Sequence, residues 1–115
     1  MKWIVPLYVG KRAEKNKQKI IRGIKKGKLL PGVFVVILSP VKGNQLEIIT
    51  AAELKEPYYA DRDPVIIGLA ASKDESFEVI KDIIQDTYDA TGEAVVLDYL
   101  KMKQADRDAA ASDKA

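Results

Sequence analysis

The chain has 115 residues, of which 47% are hydrophobic and 31% charged, and its net charge is +2, a composition typical of a soluble globular protein. It contains no cysteine and no histidine, which excludes disulfides, thiolate chemistry, and the commonest zinc ligand and general base. No apolar run approaches the ~20 residues that a membrane span needs, and the basic cluster follows the apolar start, unlike the order in a signal peptide. We therefore expect a cytoplasmic protein.

The small net charge hides an uneven distribution along the chain. Residues 1–28 carry ten basic and one acidic side chains, a net +9, whereas residues 29–115 carry nine basic and sixteen acidic side chains, a net −7. Such an asymmetry indicates either a charged partner or a contact between the two parts of the chain.

The first predicted elements are a short strand and a basic helix. Trp3–Val9 reads as a strand that Pro6 confines to a sheet edge or to an irregular start. From Lys11 to Lys26 the apolar residues recur with the helical period, which predicts one amphipathic helix. Its opposite side is almost uniformly cationic and contains Lys11, Arg12, Lys15, Lys19, Arg22 and Lys26.

The middle of the chain has the pattern of three strands. After a turn at Leu29–Gly32, the apolar run Val33–Ser39 predicts a strand buried on both faces. A loop over Val41–Gln45 leads to a second strand, Leu46–Thr50, spaced to form a hairpin with the first. A short helix over Ala51–Lys55, a loop over Tyr58–Asp63 and a third buried strand over Val65–Ala70 follow.

A long acidic helix follows the third strand. Ser72 and Glu75 fit a capping box at its start, and Gly92 supplies its end. We expect its apolar stripe to contain Phe77, Ile80, Ile83, Ile84 and Tyr88, and its opposite side to contain Glu75, Glu78, Asp82, Asp86 and Asp89. Residues 94–100 fit either a last strand or a short helix, and we expect residues 104–115 to be a disordered tail.

This order of elements predicts one α/β domain over residues 1–103. We expect a two-layer sandwich, in which both long helices cover one face of a mixed sheet with four or five strands. The predicted core contains Trp3, Val35, Ile37, Ile66, Leu69, Phe77, Ile80 and Ile84.

The basic helix side fits several binding partners. Lys and Arg on one helix side can follow a phosphate backbone, with an affinity that falls steeply with salt. No aromatic residue is present there for base stacking, so nucleic-acid binding would have little sequence preference. A membrane surface fits less well, because the few isoleucines are needed in the core. The remaining interpretation is an ordinary solvated helix side.

The acidic helix offers another explanation for the positive charge of the basic helix. The two charged sides are comparable in length and would neutralise each other within one molecule if the helices lay side by side. Between molecules, they would steer self-association or the binding of another protein. Asp82 and Asp86, at i and i+4, suggest a magnesium site only weakly, because no third ligand converges on them.

The segment from Glu56 to Pro64 is the best candidate for contact with a small molecule, because loops often carry binding residues. Its candidates are Tyr58, Tyr59, Asp61 and Arg62. The alternative interpretation is that the tyrosines pack on the sheet edge and that Arg62 pairs with Asp61 or Asp63.

No sequence motif indicates catalysis. The spacing of a P-loop, the glycine fingerprint of a dinucleotide site and the GxSxG nucleophile motif are all absent from the sequence. We therefore expect no catalytic residues, no cofactor and no metal. The hypothesis is a small interaction or accessory module that uses its charged helix sides to bind a protein partner or a second copy of itself. The alternative hypothesis is nonspecific nucleic-acid binding through residues 11–28.

Overall fold

The computed structural model describes residues 1–103, which are built around a four-stranded mixed sheet. The strands are β1 (Lys2–Val9), β2 (Phe34–Leu38), β3 (Leu46–Thr50) and β4 (Val65–Ala70), in the order β1-β4-β2-β3. β1 runs parallel to β4, and β2 runs antiparallel to both of its neighbours. The predicted α/β class is confirmed, and no fifth strand lies within residues 1–103. The predicted disordered tail, 104–115, lies outside the described residues.

Helices connect and cover these strands. They are α1 (Lys11–Glu14), α2 (Lys17–Lys25), α3 (Pro57–Ala60) and α4 (Lys73–Thr91), and residues 96–103 form a further helix, α5. A short 3-10 turn spans Glu53–Lys55. Residues 94–100 had been compatible with either strand or helix, and the structure makes residues 96–100 helical. The Tyr58–Asp63 segment was predicted to be a loop but overlaps α3, whose first residue, Pro57, has a backbone suited to a helix start.

Helices cover both faces of the sheet. Ile20 and Ile24 of α2 pack on the face that carries Val35 and Ile37, whereas α4 and α5 pack on the face that carries Val36. The prediction of two layers with both long helices on one face is therefore wrong. The reason lies in the continuous apolar sequences of β2 and β4, since strands that are apolar on both sides need a cover on both sides.

The predicted single helix over Lys11–Lys26 is interrupted after α1. Asn16 has φ −121° and ψ 19°, a conformation outside the helical region. Its amide donates to the carbonyl of Ala13, and its own carbonyl accepts from the amide of Ile20, both at 2.9 Å. Asparagine favours such turns because its short polar side chain competes with helical backbone bonds. The predicted helix is therefore two short helices, α1 and α2, joined at Lys15 and Asn16.

The apolar stripe of α4 differs from the predicted one. Phe77 and Tyr88 are 53% and 57% exposed, whereas the small polar residues Ser76 and Thr87 are fully buried. Within the predicted core, four residues are buried, Phe77 is exposed, and three are half-buried, namely Trp3, Ile80 and Ile84. The helix is therefore rotated so that its small residues, not its aromatic ones, face the sheet.

Close contact between α4 and β4 explains this rotation. A Cβ atom on Gly68 of β4 would lie 2.6 Å from Cγ1 of Val79, so the helix packs directly against bare backbone. Such proximity leaves room for Ser76 and Thr87 but not for a phenyl ring. Their hydroxyls donate to carbonyls of the preceding helical turn, which satisfies both polar groups inside the core.

Candidate functional site: two charged helix faces

The predicted cationic residues all lie on the surface, and we call them the basic face. Ala13, Ile20 and Ile24 point into the core, and the cations on the other side of α1 and α2 point outward. The basic face consists of Lys11, Arg12, Lys15, Lys19, Arg22 and Lys26, all of which are exposed.

The basic face borders more than one groove. Lys15, Lys19 and Arg22 line one shallow groove of about 400 Å³, together with Glu14, Asn16, Lys17 and Gln18. Lys26 lies one turn beyond Arg22, just after the last residue of α2. Lys11 and Arg12 line a cleft beside α4, and Arg12 also shares a groove with Lys19. The six predicted cations therefore spread over α1, α2 and the residues that flank α2.

None of the basic-face cations forms an ion pair within the described part of the chain. There, the ion pairs join Asp63 to the amino group of Met1 and to Lys2, and no carboxylate lies within 4 Å of a basic-face cation. Apolar contacts hold α2 in place, including Gly23, which packs closely against Leu30. Apolar contacts, not ion pairs, therefore position α2.

The predicted acidic residues lie on α4, and we call them the acidic face: Glu75, Glu78, Asp82, Asp86 and Asp89. The fold uses several of them internally. Asp86 accepts a hydrogen bond from the hydroxyl of Tyr8 at 2.6 Å, and Asp89 accepts one from Gln85 at 2.8 Å. Glu78 and Asp82 line the cleft that α4 forms with α1. Because α2 and α4 lie on opposite faces of the sheet, the side-by-side neutralisation considered from the sequence does not occur.

Glu75 connects the two sides of the molecule. Its carboxylate accepts hydrogen bonds from the backbone amides of Arg12, Ala13 and Ala71, at 2.9 to 3.1 Å. Burial acts to raise the pKa of Glu75, but these three amides, with the charge of Arg12, outweigh it and hold the pKa below its ordinary value. Only half of the predicted capping box forms: the hydroxyl of Ser72 accepts from the amide of Glu75, but the carboxylate of Glu75 bonds to these three amides and not to that of Ser72. Glu75 therefore fastens the start of α1 to the start of α4.

Gly10 makes this contact possible. A Cβ atom at Gly10 would lie 2.2 Å from Oε1 of Glu75, so any side chain there displaces the carboxylate. The amide of Gly10 is itself bonded to the carbonyl of Leu69, at 2.9 Å. The absence of a side chain at this position thus brings β1, β4, α1 and α4 together at one point.

A cleft of about 680 Å³ opens at the same point, outside the carboxyl ends of the parallel strands β1 and β4. The helices that follow these two strands cover opposite faces of the sheet, which is the arrangement at which α/β proteins commonly bind ligands. Here the carboxylate of Glu75 bonds to the amides at the start of α1. The amides of Arg12 and Ala13 at the start of α1 are therefore already bonded within the chain.

Tyr8 forms a second polar contact between β1 and the helices on its face. Its hydroxyl lies 3.3 Å from that of Tyr99, and the ammonium group of Lys103 lies 5.3 to 5.8 Å from the centres of both rings. Burial, followed by the hydrogen bonds to Asp86 and Tyr99, raises the pKa of Tyr8. This network was not predicted, because tyrosines 91 residues apart carry no local signal.

The predicted ligand segment is mostly satisfied by its own contacts. Arg62 donates to the carbonyl of Tyr58 at 2.6 Å and lies 4.3 Å from the centre of the Tyr58 ring. The hydroxyl of Tyr59 donates to Glu47 at 3.2 Å, and its ring packs against the core. Tyr59 and Arg62 line a small pocket of about 160 Å³, whereas Tyr58 and Asp61 do not. These contacts favour the packing interpretation, although Arg62 binds Tyr58 and neither of the two predicted aspartates.

The suggested magnesium pair is not supported as a ligand set. Asp86 is engaged with Tyr8, and within residues 1–103 no group of three or more Asp, Glu, His or Cys side chains is arranged to hold a metal ion. Among the helices of the same residues, none is both long enough and apolar enough to cross a bilayer. Comparisons with family models, curated proteins and solved structures found no match for this chain.

Proposed function

We propose that this protein is a non-catalytic interaction module whose basic face binds an acidic surface of a partner protein. The observation that carries the proposal is the lack of any carboxylate within 4 Å of the basic face among the described residues. Like charges at this spacing repel each other along a helix. A partner with carboxylates relieves that repulsion, and the attraction speeds encounter as well as adding affinity.

The chemistry of α2 supports a protein surface as the partner. Exposed Lys and Arg side chains form ion pairs worth roughly 0.2–1 kcal/mol each, so four of them give a weak, salt-sensitive and reversible contact. The acidic face on the other side of the sheet repels any polyanion long enough to wrap around the molecule. A protein surface of limited extent contacts the basic face without reaching the acidic face.

Nucleic acid is the second candidate. It is favoured by the groove along Lys15, Lys19 and Arg22, where Asn16 and Gln18 add hydrogen-bond donors beside the cations. Contacts of this kind bind the phosphate backbone and carry little sequence information. Residues 11–28 contain no aromatic side chain, so base stacking, which supports single-strand binding, has no platform there.

One set of titrations separates the two candidates. The probes are a labelled helical peptide with glutamates at i, i+4, i+7 and i+11, and a labelled DNA duplex, each followed by fluorescence anisotropy at several salt concentrations. The test variant changes Lys15, Lys19, Arg22 and Lys26 to Gln. The control changes four exposed lysines elsewhere to Gln and alters the net charge equally: Lys42, Lys55, Lys73 and Lys81.

We expect the test variant to lose roughly ten- to a hundredfold in affinity for the acidic peptide at low salt, and the control to retain it. We also expect duplex binding to be weak and equal in both variants. Duplex binding that depends on the basic face, with a slope of about −0.9 per phosphate contact, would establish the second candidate instead. If the two variants bind the peptide equally, the basic face is a solvated helix side.

A further inference from the structure

The two edge strands of the sheet differ in how well they are protected from pairing with another strand. β1 contains Pro6, and its pairing with β4 is interrupted between Trp3 and Tyr8. β3 pairs with β2 over five consecutive residues without a break, and it contains no proline and no basic residue. Its one charged side chain, Glu47, is held by hydrogen bonds from Ser39 and Tyr59. β3 therefore lacks the usual devices that keep a sheet edge from pairing with another strand.

The register shows which backbone groups of β3 point outward. The amide of Ala51 donates to the carbonyl of Val33, and the amide of Ser39 donates to the carbonyl of Gln45. In an antiparallel ladder the bonded pairs alternate, so the odd-numbered residues of β3 face β2. The amides and carbonyls of the even-numbered residues, Leu46, Ile48 and Thr50, consequently face away from the sheet.

Only one of these outward-facing backbone groups has a hydrogen-bond partner within the described residues. The amide of Thr50 donates to the carboxylate of Glu53, at 3.0 Å. For Leu46 and Ile48, no partner to their outward backbone groups lies within the described residues. Exposed amides and carbonyls in a flat, regular edge strand form a ready template for another strand.

The side chains beside this edge are apolar. Leu46 and Ile48 are half-buried on the sheet face covered by α4. On α4, Asp86 faces β1 through Tyr8, and Phe77 lies nine residues earlier, about 180° around the helix at 100° per residue. Phe77 therefore lies on the flank of α4 that is turned away from β1, where it is 53% exposed. We call Phe34, Leu46 and Ile48, which pack in one apolar cluster, the edge shelf.

We propose that a second copy of this chain pairs with β3, antiparallel and about a two-fold axis at Ile48. The strand Leu46–Thr50 is self-complementary in this register, because Ile48 meets its own equivalent and Leu46 meets Thr50. The amide of Thr50 stays with Glu53, so each Leu46–Thr50 pair forms one bond, from the amide of Leu46 to the carbonyl of Thr50. Glu47 lies opposite Ile49, so the directly opposed pairs bring no two carboxylates together. Each copy also contributes its edge shelf to the junction. An isolated peptide strand would leave the edge shelf exposed to solvent. The product is a continuous eight-stranded sheet with one self-matching interface.

This arrangement has a consequence that rests on the proposed function. A two-fold axis perpendicular to a continuous sheet keeps the same face of both copies on the same side. The two basic faces then lie side by side, and the two acidic faces lie together on the other side. A partner with two acidic segments would engage both basic faces at once, which raises affinity without new contacts. Dimerisation itself is measured without any anionic probe, so its failure and that of the proposed function are distinguishable.

Hydrogen exchange on the full-length chain tests the pairing directly. The amide of Ile48 points outward, whereas that of the adjacent Ile49 faces β2 and serves as an internal control. We expect the Ile48 amide to exchange at least about tenfold more slowly at high protein concentration than at high dilution. The Ile49 amide should be protected at both concentrations. Light scattering with size exclusion should report a dimer over the same concentrations that protect Ile48.

A matched pair of substitutions locates the interface. Ile48→Lys places a charge at the β3 edge, and Ile4→Lys makes the same change on the other edge strand, β1, at a half-buried position that packs against the same apolar cluster. We expect the first variant to be monomeric and the second to dimerise like the unmodified chain, with circular dichroism confirming that both fold. The proposal is overturned if the unmodified chain remains monomeric and its Ile48 amide exchanges rapidly at every concentration, or if both variants dimerise equally. Protection of Ile48 that requires an added peptide also overturns it, in favour of a peptide-binding edge.

Discussion

The basic and acidic faces carry similar numbers of like charges, but the fold uses them differently. On α4, the carboxylates of Glu75 and Asp86 accept hydrogen bonds from other parts of the chain, and that of Asp89 accepts one from Gln85 on the same helix. On α1 and α2, no cation is paired with a carboxylate in the described residues. Runs of charge that look alike in the sequence therefore differ in role, and the hydrogen-bond partners tell them apart. The acidic face is partly structural, whereas the basic face remains available for a partner.

The largest effect on stability should come from Glu75. Glu75→Ala removes the acceptor for three backbone amides, each bound by a charge-assisted hydrogen bond, and should lower the free energy of unfolding by about 3 kcal/mol. Glu78→Ala is the matched control, since Glu78 is an exposed neighbour on the same helix, and should change it by less than about 0.5 kcal/mol. Urea unfolding followed by circular dichroism measures both. Equal effects would contradict the structural role of Glu75.

The same carboxylate predicts a pH dependence. Because the pKa of Glu75 is lowered in the folded state, its contribution to stability is present above the unfolded pKa of about 4.3 and is lost as the pH falls through the folded pKa. Urea unfolding between about pH 6 and pH 3 should therefore show a steeper loss of stability for the unmodified chain than for Glu75→Ala. Parallel curves would show that the carboxylate is not bonded in the folded protein.

The next effect should come from Gly10. Gly10→Ala puts a methyl group where the carboxylate of Glu75 lies, and we expect a loss of about 2 kcal/mol as the carboxylate gives up part of its bonding. In the Glu75→Ala background the same substitution should cost much less, because the obstructing group is gone. Denaturant titration of the two single variants and the double variant measures this coupling. Additive losses would mean that Gly10 acts through its backbone alone.

A smaller effect should come from Tyr8. Tyr8→Phe removes the hydroxyl that bonds to Asp86 and should lower the free energy of unfolding by about 1 kcal/mol. Because the pKa of Tyr8 is raised in the folded state, its contribution is fully present below the unfolded value of about 10 and declines as the pH rises above it. Thermal unfolding between about pH 8 and pH 11 should thus show a steeper decline for the unmodified chain than for Tyr8→Phe.

The smallest effect should come from the basic face. Changing Lys15, Lys19, Arg22 and Lys26 to Gln should leave the free energy of unfolding unchanged or raise it by about 0.5 kcal/mol, because repulsion between like charges is relieved. Thermal unfolding at low salt measures the change. A large loss of stability would show that these cations have structural partners and would remove the contrast with α4.

The strands and the ends of α4 were predictable because local sequence determines them, whereas the break between α1 and α2 was not predicted. The continuous apolar runs identified β2 and β4, and Ser72 and Gly92 marked the ends of α4, where the hydroxyl of Ser72 and the left-handed backbone of Gly92 form the caps. The predicted arrangement of layers was wrong, although the sequence contained the information needed for the correct one. A strand that is buried on both faces requires helices on both faces, and the two long helices were the available cover.

The orientation of α4 and the role of Glu75 were not predictable. Ser76 and Thr87 appear polar in the sequence, but each hydroxyl bonds within its own helix, which allows both residues to face the sheet. Glu75 bonds to the amide of Ala13, 62 residues away, and no periodicity or spacing reports such a contact. Among the candidate site residues, the basic face was identified correctly as exposed, while two acidic residues had structural partners that only the fold reveals.

The most direct test of the central contrast compares the affinity for an acidic helical peptide before and after neutralisation of Lys15, Lys19, Arg22 and Lys26. Fluorescence anisotropy at low and high salt measures it. We predict that the unmodified chain binds the peptide in a salt-sensitive manner. The variant should lose this binding and keep its thermal stability. Unchanged binding, or no binding by the unmodified chain at low salt, would contradict the claim that the basic face serves a partner.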